Sequence, residues 1–107
     1  FRLHGQFPYR EIWEIAPEGT PHYDSFVHYL KLRYTLLPYV YTLAADTWHG
    51  DGTILRTMSM DFPDDMQARG IADQYLFGPS FLVAPVTQFG ATSRQVYLPA
   101  GASWIDF

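Results

Sequence analysis

The rhythm of apolar and polar positions changes along this chain. Residues 1 to 23 hold Pro8, Pro17, Gly19 and Pro21 and sustain no period, which predicts the end of a strand followed by a long loop. From Asp24 or Ser25, either of them a good N-cap, Phe26, Leu30, Leu37, Val40 and Ala44 recur at spacings that suit one helical face, until Gly50 and Gly52 end the pattern. The prediction is one long helix. Pro38 lies inside it and has no N–H to donate to the carbonyl of Tyr34, so a kink is expected between Tyr34 and Pro38.

The second half reads as strands. Thr53 to Met60 alternates loosely, Asp61 to Asp65 (DFPDD) reads as a turn, and Met66 to Gly78 as a short helix or turn. Ser80 to Val86 (SFLVAPV) is apolar enough for a buried strand. Arg94 to Gly101 (RQVYLPAG) alternates well, and Trp104 to Phe107 follows it, like an antiparallel sheet just beginning. A single long helix between a loop and a few strands has no partner for much of its apolar surface. The chain is therefore expected to span the end of one domain and the start of another, with the rest of the same polypeptide as its partner.

Composition narrows the function classes. Of the 107 residues 48% are apolar, which is ordinary, but 18% are aromatic and the rings are spread along the whole length, which suits a large core or a sugar-binding surface. Net charge is −4 with no basic cluster, so the counterion release that drives nucleic-acid binding has no source and no nucleic-acid partner is expected. Cysteine is absent, which excludes disulfide scaffolds and thiolate metal sites and leaves the compartment open between cytoplasmic and exported. No membrane span is expected, since no stretch approaches the roughly 18 apolar residues that one needs. His22, His28 and His49 lack ligand spacing such as HxH or HExxH, and neither a metal nor a cofactor is expected.

The acids do not form a catalytic pair. Asp64 and Asp65 are adjacent, so their side chains diverge, and after Pro63 they read as a turn with local capping bonds. Glu11, Glu14 and Glu18 share the irregular loop and Asp106 lies at the far end. No motif among them fixes two carboxylates across a substrate.

Six stretches carry a resemblance. FRLHG followed by PYREIW, then LRYTLLPYVYTLA, DFPDD, QYLFGPSFLVAPV and VYLPAGASWIDF resemble glycoside hydrolase family 31 in the same order and at close to the usual spacing, over essentially the whole chain. LRYTLLPYVYTLA and QYLFGPSFLVAPV are the most specific, because each is long and unusual. The fold class that the resemblance implies is α/β plus β, made of the last strand, loop and long helix of a (β/α)8 TIM barrel followed by the first strands of an antiparallel β-sandwich domain. The expected division is residues 1–52 for the last β/α unit, 53–78 for a connecting segment and 79–107 for the start of the sandwich.

The resemblance also implies an activity. The family is retaining and hydrolyses α-linked glycosides with two carboxyl groups about 5 to 5.5 Å apart. Its nucleophile and acid/base are expected upstream of Phe1, so no catalytic residue is assigned within these residues. His4 follows an apolar, strand-like start, at the end of a barrel strand from which functional groups project. The resemblance places that histidine against the sugar being cleaved, where an imidazole can hydrogen-bond a ring hydroxyl. By position alone a histidine after a strand is more often structural. Gln6 and Trp13 share its loop as further substrate-binding candidates, since a flat apolar ring suits the axial hydrogens of a pyranose; packing within the loop is the alternative for Trp13. The loop text HGQFPYREIW is similar to that of bacterial α-xylosidases, and the expected substrate is an oligosaccharide ending in non-reducing α-linked xylose. An α-glucosidase of the same family is the alternative. A non-catalytic carbohydrate-binding β module is the alternative of another class, and the long Pro-containing helix counts against it.

Overall fold

A computed structural model of the chain describes residues 11–107. The chain divides into two compact units, Phe1–Thr42 and Leu43–Phe107.

In the first unit the expected loop contains a single helical turn, α1 (Ile12–Ile15), and the main helix α2 (Pro21–Thr35) starts a turn earlier than Asp24. The start follows from Thr20 and Pro21. The Thr20 hydroxyl oxygen accepts the Tyr23 N–H at 3.4 Å and donates to Pro17 O at 2.7 Å, while Pro21 sits at the first helical position, where no N–H is needed. Asp24 instead lies in the first turn, where the helix dipole favours a carboxylate. Tyr23, Phe26, Val27 and Leu30 form the half-buried side of α2, and α1 packs against this helix.

The expected long helix is two helices. α3 (Leu37–Gly50) follows α2 after Leu36, whose ψ of −2° departs from the helical value. Backbone bonds flank the break, from Leu36 N–H to Leu32 O at 2.9 Å and from Val40 N–H to Leu36 O at 3.0 Å. Between them Pro38 cannot serve the Tyr34 carbonyl, so the kink expected from Tyr34 to Pro38 takes the form of a helix boundary. Leu43 is the buried residue of α3, whereas Leu37, Tyr41 and Trp48 stand exposed four and seven residues apart along its other side.

The second unit is built on a three-stranded antiparallel sheet, β1 (Leu55–Thr57), β2 (Tyr75–Phe77) and β3 (Phe81–Val83), in the order β1-β2-β3. Leu55 pairs with Phe77, Arg56 with Leu76 and Thr57 with Tyr75; Tyr75 in turn pairs with Val83 and Phe77 with Phe81. Gly78 opens the β2–β3 turn at φ 61°, a left-handed conformation that a side chain would strain, and its N–H donates to Ile54 O at 2.8 Å. The strand expected over Thr53 to Met60 is only three residues long. Its partner runs out beyond Tyr75, and the chain turns into α4 (Met58–Asp61), drawn back by the Arg56–Asp61 ion pair. Met58, 0% exposed, fills the core at that turn with Ala68 of α5 (Met66–Arg69) and Leu76.

The strands expected at Arg94 to Gly101 and Trp104 to Phe107 are absent; both stretches are irregular. Side chains replace the ladder there. The amide of Gln74, itself 5% exposed, accepts the Tyr97 N–H at 2.8 Å and donates to Tyr97 O at 2.9 Å, satisfying both backbone groups of one residue as a neighbouring strand would. Pro99 is buried and cannot donate, and its carbonyl accepts the Trp104 indole N–H at 2.9 Å.

Candidate functional site

Of the three substrate-binding candidates, His4 and Gln6 lie outside the described residues. Trp13 is carried by α1, and the turn explains its position. Ile12 and Ala16, four apart, are both buried, and Ala16 N–H donates to Ile12 O at 2.7 Å. With that side of the turn anchored, Trp13 points away from it and is 66% exposed. At the start of the turn Glu11 and Glu14 are tied twice, by Glu14 N–H to Glu11 O at 3.1 Å and by Glu11 N–H to Glu14 Oε2 at 3.2 Å. The result is a short step that presents a large flat ring beside two carboxyl-bearing residues.

The second unit holds a polar network that sequence reasoning missed. Arg94 Nη1 donates to Asp73 O at 2.9 Å and to Pro85 O at 2.7 Å, Nε donates to Gln95 O at 3.2 Å, and Nη2 lies 2.7 Å from Asp73 Oδ2. A depression of about 340 Å³ adjoins this clasp, lined among others by Asp73, Gln88, Ser93 and Gln95. The guanidinium beside it is already bonded through all three nitrogens, so it serves as a strap across the loop and is poorly placed to receive an anion. The sequence signal was faint: an Arg in an alternating stretch, with its carboxylate partner 21 residues earlier.

Asp65 makes a second set of polar contacts in this unit. Its Oδ1 caps α5 by accepting the N–H groups of Gln67 at 2.9 Å and Ala68 at 3.0 Å, and its Oδ2 accepts the Tyr97 hydroxyl at 2.7 Å. The Ala68 N–H first, and then the Tyr97 hydroxyl, hold its carboxyl below the ordinary aspartate value, while the same contact raises the Tyr97 hydroxyl. A carboxyl held in its ionised form is a cap and an acceptor, the opposite of a general acid. The capping expected of the DFPDD turn is therefore present, with a long-range bond added to it. Among the described residues no three His, Asp or Glu side chains gather as a metal would require, and no helix is long and apolar enough to cross a membrane.

Comparison with known proteins accounts for both units. Residues 1–43 match the TIM-barrel domain of glycosyl hydrolase family 31, and residues 51–107 match that family's C-terminal domain. A solved α-xylosidase from Xanthomonas citri superposes with a TM-score of 0.88 at 71% identity, over 94% of this chain and 11% of that one. An α-xylosidase of Saccharolobus solfataricus is 40% identical over 106 residues, which are 99% of this chain and 14% of that protein. Alpha-glucosidase 2 of Bacillus thermoamyloliquefaciens is 34% identical over 110 residues, all of this chain and 13% of that protein. The chain thus spans about an eighth of the length of the relatives it matches.

Proposed function

Because this chain belongs to glycoside hydrolase family 31, forming the end of its (β/α)8 barrel and the start of the β domain that follows, we propose that it serves a retaining hydrolase that releases terminal non-reducing α-linked xylose from oligosaccharides. The observation that carries the xyloside reading is the 71% identity to the Xanthomonas citri α-xylosidase over nearly the whole chain. The α-glucosidase reading has its own support in the 34% match to alpha-glucosidase 2, at less than half that identity. A non-catalytic sugar-binding module has neither kind of support.

In this reading residues 1–52 close the barrel, 53–78 connect and 79–107 begin the sandwich. The exposed Leu37, Tyr41 and Trp48 of α3 pack against other parts of the same polypeptide, since a helix buries its apolar stripe where a partner exists. The nucleophile and the acid/base come from earlier barrel strands, about 5 to 5.5 Å apart across the scissile bond. The residues of this chain bind and orient. The His4 imidazole hydrogen-bonds a hydroxyl of the sugar being cleaved, Gln6 offers an amide beside it, and Trp13 lays its indole against the sugar ring.

The test is turnover by the full-length gene product of an aryl α-xyloside and an aryl α-glucoside at matched concentrations. The proposal expects a higher kcat/KM for the xyloside and no turnover of either by the 107 residues alone, which lack both carboxylates. A preference for the glucoside would establish the alternative, and turnover by the 107 residues would overturn the assignment of the catalytic acids.

A further inference from the structure

We infer that Glu14 is a positioning residue for Trp13 and, through it, for the bound sugar; this rests on the reading that Trp13 touches substrate. α1 has only four residues, far below the length at which a helix holds itself in water. Burial of Ile12 and Ala16 fixes one side of it. The N-terminal end depends on the reciprocal pair of bonds between Glu11 and Glu14, in which the Glu14 carboxylate reaches back to the Glu11 N–H in the manner of a capping box. Trp13 lies inside that ring of bonds. Trp13 is 66% exposed, so few contacts within the described residues orient its indole and its aim is set by the backbone beneath it. Loss of the carboxylate leaves the Glu11 N–H without this acceptor and lets the turn fray at the residue next to Trp13.

The consequence is a binding defect without a chemical one. Glu14 itself is exposed and contributes no core packing, so its variants fold. In the full-length enzyme, Trp13→Ala is expected to raise KM for the α-xyloside by about tenfold, and Glu14→Ala by about threefold to fivefold, with kcat within about twofold of wild type in both. Glu14→Gln keeps an acceptor oxygen for the Glu11 N–H and should restore KM to near wild type. In the Trp13→Ala background, Glu14→Ala should add nothing, because the two act through one contact. The inference is overturned if Glu14→Ala leaves KM unchanged while Trp13→Ala raises it, if Glu14→Gln is as harmful as Glu14→Ala, or if the two effects simply add. An unchanged KM in Trp13→Ala would instead remove Trp13 from the sugar site, and the role of Glu14 with it.

Discussion

Gln74→Leu isolates the contribution of a side chain that stands in for a strand. Leucine is of similar size and fills the same buried position, but it removes the acceptor of the Tyr97 N–H and the donor to Tyr97 O together. A buried backbone group left without a partner costs about 1 to 3 kcal/mol. Tyr97 is half-buried, so water can reach it in part and the lower end applies to each group. Two groups at about 1 kcal/mol each give about 2 kcal/mol, or roughly a 30-fold larger population of the locally open segment. Hydrogen exchange of the Tyr97 amide in the full-length protein reads this directly. Its rate should rise about 30-fold in Gln74→Leu. The Leu76 amide, in the β2 ladder, should change far less. If the Tyr97 rate stays within about twofold of wild type in Gln74→Leu, the amide pair does not hold the segment and the explanation of why residues 94–101 need no ladder fails.

Two further predictions concern the same unit. Asp65 titrates in the folded state below its ordinary value of 3.8, so its bonds contribute stability above that value and lose it as pH falls through the lower folded one; Tyr97, raised above 10.0, contributes below that value and loses it as pH rises through the higher folded one. Stability profiles of wild type against Asp65→Asn should therefore converge as the pH drops below 3.8, and a constant gap down to strongly acid pH would contradict this assignment. Met58→Ala should destabilise by about 2 to 5 kcal/mol, seen as a lowered Tm, because the side chain is 0% exposed where the chain leaves β1. A loss under about 1 kcal/mol would mean that the turn does not depend on that side chain.

The helical half was legible where local chemistry decides the outcome. Pro38 announced a break because a missing donor acts wherever the helix packs, and the break falls at Leu36, within the expected interval. Pro21 was misleading: it reads as a loop marker, yet behind Thr20 it is a first-turn proline. α1 was invisible, because four residues carry no period. In the β half, alternation at Arg94 to Gly101 promised a strand. Alternation reports faces, whereas a strand needs a neighbour, and here the neighbour is the Gln74 side chain, 23 residues earlier in sequence. The Asp73–Arg94 and Asp65–Tyr97 contacts join residues 21 and 32 apart along the chain, and no local pattern encodes them. For the candidate site, motif text suggested Trp13, and the anchoring of Ile12 and Ala16 explains how that ring is turned outward.

The central claim is that the start of this chain is the sugar-facing edge of the barrel, with His4 as its hydrogen-bonding group. Steady-state kinetics of His4→Ala in the full-length enzyme against an aryl α-xyloside test it most directly. A hydroxyl contact that tightens in the transition state predicts a fall in kcat/KM of about 100-fold with an unchanged Tm. Unchanged kinetics at unchanged Tm would take His4 out of the site and contradict the account.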